Sequence, residues 1–119
     1  MEGLSKKERL YGKAAIANLL EKGRFGYEGC LKFCWSYCAD GADCNRLMVS
    51  VSKRFFKRAV KRNLLKRRLR EAYRKSKSLL GVPCGCDLML IYNSKEVADY
   101  KEIKASVENV LLHIASKVK

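Results

Sequence analysis

The chain carries one histidine, one proline and 12 acidic residues against 26 lysines and arginines, and each shortage closes off a class of function. His113 is the sole imidazole and lies in a helical stretch, where it reads as a surface or boundary residue rather than a catalytic base. The acids stand singly except between Glu96 and Glu108, which argues against a two-metal nuclease built from clustered carboxylates. Neither GxGxxG nor GxxxxGK[ST] occurs, so the usual loops that cradle nucleotide phosphates are missing. No apolar run approaches the ~20 residues of a membrane span. Met1 to Arg9 leads into no sustained apolar region, so a cytoplasmic protein with no membrane contact is expected. Sparse proline together with 48% hydrophobic residues points to a folded chain, not a disordered basic tail. A length of 119 residues suits a single domain over 1–119, with 1–9 loosely ordered, and there is no internal repeat or low-complexity linker.

Cysteine is not scarce, but its spacing is uninformative for metal. Six cysteines fall as Cys30-x3-Cys34-x3-Cys38-x5-Cys44 and Cys84-x-Cys86, without the paired CxxC of zinc knuckles and ribbons. Without an export signal, reduced thiols are the first expectation. A metal held by Cys30, Cys34 and Cys38, which share one face of a strand, is the weaker alternative, and disulfides are weaker still. A thiol close to many cations could act as a nucleophile, but no base partner is evident.

What the chain has in excess is positive charge in one place. Lys53 to Lys77 contains 13 of the 26 lysines and arginines and a single acid, Glu71, so this segment supplies +12 of the formal +14. Such a density repels itself unless a polyanion neutralises it, and nucleic acid is the first hypothesis, with a merely solvated basic helix as the alternative. Within the segment Leu65, Leu69, Ala72 and Tyr73 recur at helical spacing as one narrow apolar stripe. Asn63, Lys66, Arg67, Arg70 and Arg74 gather in another sector of the same helix, where they can meet a phosphate surface together. Lysine and arginine outnumber aromatics here, which favours backbone contact with steep salt dependence over base reading.

Elsewhere the pattern alternates between helices and strands. Lys13 to Lys22 reads as a short helix with Ile16, Leu19 and Leu20, closed by Gly23. From Cys30 to Cys38 a strand places Leu31, Phe33, Trp35 and Tyr37 on a core face and Cys30, Lys32, Cys34, Ser36 and Cys38 on the other. Ala39 to Asp43 is turn chemistry, and Leu47, Val49 and Val51 then alternate in a strand expected to form a hairpin with the preceding one. A further short strand fits Phe25 to Gly29. Gly81-Val82-Pro83 breaks the chain, and Asp87 to Asn93 is apolar enough for a central strand buried on both faces. The last helix starts near Asp99, with Glu102 placed as in a capping box, and its stripe runs through Ile103, Val107, Val110, Leu111, Ile114 and Val118. The expected fold class is therefore α/β, an α+β sandwich in the order α-β-β-(β)-α-β-α, with a strand-helix-strand crossover around the basic helix.

Over nearly its whole length the chain resembles the protein subunit of bacterial ribonuclease P. The features are the basic start ending in Glu8-Arg9-Leu10, the short helix closed by Gly23, the phrase Val49-Ser50-Val51-Ser52-Lys53 and the basic helix from Lys61 to Arg74. The apolar strand begun by Asp87 and the final amphipathic helix complete the match. The resemblance implies a mostly antiparallel central sheet packed by helices, with a left-handed crossover, unlike the usual hand. It implies a ribonucleoprotein endonuclease that removes the 5′ leader of precursor tRNA, in which the RNA subunit holds the catalytic magnesium ions. It further implies a protein that binds no cofactor of its own, contributes no catalytic residue, and is monomeric outside the complex.

By position, the resemblance assigns Lys53, Arg54, Arg62, Asn63, Lys66, Arg67, Arg68 and Arg70 to the RNA subunit, with Leu64 standing where the family motif has a third arginine; Lys61 and Arg74 join this RNA-binding set as cations of the same helix. Lys61 and Arg68 are the cations beside that gap. It assigns Ile16, Leu20, Lys32 and Cys34 to a cleft between the first helix and the sheet that seats the leader, bordered by Cys30 and Cys38. Plain core packing is the competing reading of Ile16 and Leu20. Phe25 and Tyr27 could supply the aromatic surface that those cleft positions lack. A rival class is a ribosome-associated protein that binds rRNA through the same basic face. A DNA-binding module is poorer, because the basic helix carries an apolar stripe and has no helix-turn partner.

Overall fold

Gly23 makes the first tight contact of the fold. Helix α1 (Lys13–Lys22) ends there, with the Gly23 N–H donating to the Leu19 carbonyl at 2.7 Å. A Cβ at this position would come within 2.3 Å of the Cys34 Sγ and 2.4 Å of the Leu19 oxygen, so only glycine lets the helix end lie so close to the sheet. The computed structural model describes residues 9–10, 12–37, 45–80 and 85–117. The expected turn at Ala39 to Asp43, the breaker Gly81-Val82-Pro83, Cys38, Cys44, Cys84, Val118, Glu8 and the side chain of Tyr37 lie outside what it describes.

After α1 come β1 (Arg24–Glu28), β2 (Leu31–Tyr37), β3 (Arg46–Val51), α2 (Ala59–Ser76), a short 3-10 turn over Lys77–Leu80, β4 (Cys86–Tyr92) and α3 (Tyr100–Lys117). The strands form one mixed sheet in the order β1-β2-β4-β3. β2 runs antiparallel to both β1 and β4, whereas β3 and β4 are parallel and are joined through α2.

This order corrects the expected hairpin between the second and third strands. The hairpin lies one step earlier, between β1 and β2, and turns at Gly29 with φ of +56°. β4 separates β2 from β3 for a reason visible in its side chains. Cys86 to Leu90 are all buried, so this strand needs cover on both faces and takes an interior place, while β3 buries alternate residues and suits an edge. Arg46 closes the start of the parallel pair through a forked contact with its register partner Asp87, at 2.7 and 3.1 Å. That ion pair gives a carboxylate with 2% exposure its partner inside the sheet.

Two unequal cores lie on opposite faces. The larger joins Leu31, Phe33, Trp35, Val49, Leu88, Leu90 and Tyr92 of the sheet to Leu65, Leu69, Ala72 and Tyr73 of α2 and to Ile103, Val107, Val110, Leu111 and Ile114 of α3. The smaller gathers Leu10, Leu19, Cys34 and Met89 beneath α1, with Ala15, Ile16, Met48 and Ile91 at its border. The alternating pattern of β2 predicts a half-buried strand. Its second face is in fact covered at Cys34, whose thiol donates to the Leu19 carbonyl at 3.4 Å. At α3, the expected cap is present: Asp99 Oδ1 accepts from the Glu102 N–H at 2.9 Å.

Candidate nucleic-acid interface

α2 buries Leu65, Leu69, Ala72, Tyr73 and Ser76, and the residues opposite this stripe face solvent. Lys61, Asn63, Arg67 and Arg70 are exposed and Lys66 is half-buried. The side chains of these five make no hydrogen bond or ion pair among the described residues. Lys66 and Arg70 stand one turn apart, as do Arg70 and Arg74, so their repulsion is built into the helix. The one acid of α2, Glu71, takes a forked contact from Arg74 at 2.9 and 2.9 Å and meets Lys75 at 3.6 Å. The hydrogen bonds from Arg74 hold the Glu71 carboxyl below the usual carboxylate range. Arg74 is thus partly neutralised within the helix.

Two other arginines of the expected set are tied to backbone. Arg62 Nη1 donates to the carbonyls of Phe56 and Lys57, both at 2.8 Å, and so fastens the segment that links β3 to α2. Arg68 Nη1 donates to the Ala98 carbonyl at 2.7 Å and fastens the approach to α3. The same approach is held by Tyr92, whose hydroxyl donates to the Glu96 carbonyl and accepts from the Ala98 N–H. Lys53 and Arg54 are exposed in the turn after β3, which Ser52 Oγ supports by accepting from the Arg54 N–H at 3.0 Å. Leu64 is half-buried, next to exposed Lys61 and Asn63.

The cationic surface extends past the residues read from the sequence. α2 begins without a side-chain cap and without an acid in its first turn. Beside that end lies a cavity of about 600 Å³ lined by Phe55, Phe56, Lys57, Arg58, Lys61, Lys95, Glu96 and Val97. Lys57 and Arg58 belong to the basic run, so their charge is visible in the sequence. Lys95 comes from the β4–α3 connection, and only the fold brings it here. An anion is favoured at an uncapped helix start and again by the surrounding cations.

On the opposite side of the sheet, the positions expected to seat a leader are only partly accessible. Ile16 is half-buried against the smaller core, and Leu20 is 45% exposed. Lys32 is half-buried, whereas Cys34 has no exposure and underlies α1 rather than lining an open cleft. Cys30 is also buried, on the side of the larger core, where its thiol lies 3.9 Å from Ser106 Oγ. Burial raises the pKa of both thiols. Phe25 and Tyr27, which the sequence could not place, share this face: Phe25 is opposite Cys34 and Tyr27 opposite Lys32. Their period-2 spacing in a strand was the available signal, but it needed the strand to be fixed first. Cys30 and Cys34 are free thiols, and no group of three metal-ligating side chains occurs among the described residues.

With this geometry in view, the comparisons agree on one family. The family model of ribonuclease P matches residues 4–115. The chain belongs to the ribonuclease P protein family. As a member it is a protein subunit of the ribonucleoprotein that processes the 5′ end of tRNA, and its partner is ribonuclease P RNA. It is 33% identical to the ribonuclease P protein component of Porphyromonas gingivalis, over 98% of this chain and 89% of that protein. It is 36% identical to that of Petrotoga mobilis, over 99% and 98%. Among solved structures, the RNase P protein of Thermotoga maritima superposes with a TM-score of 0.76 at 27% identity, covering 90% of this chain and 97% of that one. The Staphylococcus aureus RNase P protein gives 0.74 at 25% identity, covering 94% and 95%. No helix among the described residues is long and apolar enough to cross a membrane.

Proposed function

We propose that the chain binds the ribonuclease P RNA through the outward face of α2 and seats the 5′ leader of precursor tRNA against the α1 side of the sheet, while cleavage takes place in the RNA. The observation that carries this reading is the division of α2 into a buried apolar stripe and an outward face whose Lys61, Lys66, Arg67 and Arg70 pair with no described residue. Lys61, Asn63, Lys66, Arg67 and Arg70 make the direct contacts, and Lys53 and Arg54 extend them from the turn after β3. Arg62, Arg68 and Arg74 contribute charge to the same surface and hold it in shape through their internal hydrogen bonds. Lys61, exposed beside Leu64, serves the place where the motif lacks its third arginine. Neutralising RNA charge lowers the magnesium that the RNA needs, and the magnesium belongs to the RNA. The protein acts as a monomer in the cytoplasm with no cofactor of its own.

The test is a joint replacement, Lys66→Glu, Arg67→Glu and Arg70→Glu, in protein reconstituted with the ribonuclease P RNA of its source. Removing three phosphate contacts should make the plot of log affinity against log salt shallower by about 2 to 3. Leader removal at low magnesium should fall with it, while the unfolding curve stays in place. Unchanged affinity for the RNA would sink the assignment.

A further inference from the structure

The apolar strand β4 ends on a tyrosine, Tyr92, whose exposure is 1%. A phenol buried so deeply needs partners for its hydroxyl, where a phenylalanine would need none. Tyr92 has two. Its hydroxyl donates to the Glu96 carbonyl and accepts from the Ala98 N–H at 2.8 Å. Both groups belong to the connection 93–99 between β4 and α3, so one side chain pins that connection at two points. The ring meanwhile packs on Phe56, with centroids 5.8 Å apart and planes tilted by 58°.

These contacts put Tyr92 behind both walls of the cavity at the start of α2. One wall is the segment 55–58 and the other is 95–97. α2 grips each wall as well. Arg62 Nη1 holds the first through the carbonyls of Phe56 and Lys57, and Arg68 Nη1 holds the second through that of Ala98. Within the second wall the Glu96 N–H donates to Ser94 Oγ at 3.1 Å. With the backbone fixed in this way, the exposed side chains of the cavity are left to act outward. Lys57, Arg58, Lys61 and Lys95 are exposed there against one acid, Glu96, and none of the four cations makes an ion pair with a described residue.

We infer that Tyr92 is a positioning residue for RNA binding: it holds Lys95 beside the start of α2, where Lys95 adds a phosphate contact from outside the basic run. The inference rests on the reading above that α2 meets the RNA, and it extends that surface to a second element. A lysine on a wandering loop loses much of its attraction for a phosphate to the cost of ordering the backbone that carries it. Here the hydroxyl of Tyr92 and the guanidinium of Arg68 have already fixed that backbone, so only the Lys95 side chain remains to be ordered. An ammonium meets a phosphate as a point charge and reads no base, so the contact should add affinity without sequence preference.

Tyr92→Phe keeps the ring on Phe56 and removes only the hydroxyl, whereas Lys95→Ala removes the cation that the hydroxyl places. Each full-length variant is bound to the ribonuclease P RNA of its source over a range of salt. Lys95→Ala should make the plot of log affinity against log salt shallower by about 1. Tyr92→Phe should flatten it by a similar amount although it removes no charge. The two together should be no flatter than Lys95→Ala alone, because they act through one contact. Lys104→Ala, which takes a cation from α3 where it pairs with Glu108 at 3.7 Å, should keep the slope of the parent. A Tyr92→Phe protein that unfolds more readily but keeps the parent slope would make the hydroxyl purely structural and overturn the proposal. Lys95→Ala lies on the surface and folds in any case, so a parent slope in that variant overturns it independently. The charge reversal at Lys66, Arg67 and Arg70, measured alongside, separates the two failures. If it weakens binding while the Tyr92 and Lys95 variants do not, the reading of α2 stands and this proposal falls. If the Tyr92 and Lys95 variants flatten the slope and the charge reversal leaves affinity unchanged, the reading of α2 falls and the contact at Lys95 stands.

Discussion

Arg62 and Arg67 are five residues apart on one helix, and their surroundings give them different work. Arg62 holds two carbonyls of the segment before α2, so its removal would release the turn bearing Lys53 and Arg54 as well as a charge. Arg67 is exposed and makes no hydrogen bond or ion pair among the described residues, so its charge faces outward. The counterpart on the inner side is Gly23. Adding a methyl there places carbon 2.4 Å from the Leu19 carbonyl, a backbone atom that cannot swing aside, and 2.3 Å from the Cys34 sulfur. Gly23→Ala should therefore destabilise the fold by about 1–3 kcal/mol through overpacking. Urea unfolding would read this as a lower midpoint with an unchanged slope.

At the scale of the element, α2 should separate stability from binding. Leu65 and Leu69 are fully buried, and Leu65→Ala or Leu69→Ala should each cost about 2–5 kcal/mol by leaving a cavity against the sheet. At temperatures where the variant is still folded, the salt dependence of RNA affinity should match that of the parent, because the outward cations are untouched. A variant that lost the salt slope with the leucine would refute this division. Both faces of α2 were legible in the sequence because helical period and charge are local properties. The same holds for α1 with its stop at Gly23 and for the Asp99 cap. Strand pairing was not local: alternation shows that a strand has a buried face but not which neighbour covers it. The partner of β3 lies about forty residues away across α2, so the turn-like Ala39 to Asp43 suggested a hairpin that the doubly buried β4 displaces. Side-chain ties such as Arg68 to Ala98 and the contribution of Lys95 to the cavity were hidden for the same reason.

For the whole molecule, the balance of charge and burial sets how stability responds to alkali. Burial raises the pKa of Cys30, Cys34 and Tyr92, so the folded chain keeps protons that the unfolded chain releases. Stability from these groups is full below their unfolded values and falls as pH rises, starting near the ordinary thiol value of 9.0. Thermal unfolding followed from pH 8 to 10 should show this decline, and it should be shallower in Cys30→Ala with Cys34→Ala. An identical decline in both proteins would exclude the thiols as its source. A different consequence follows from the short bridge at the start of the described chain. Arg9 pairs in parallel with Leu47, and the Leu10 N–H donates to the Leu47 carbonyl at 2.9 Å. An open strand edge invites pairing with another chain, and β3 is an edge strand. Residues 9 and 10 occupy part of that edge, while Leu10 is buried in the smaller core. The opposite edge, β1, is only five residues long, with charged residues at its two ends and a glycine at its centre. The sheet is thereby guarded at both edges against growing into a fibre by strand addition.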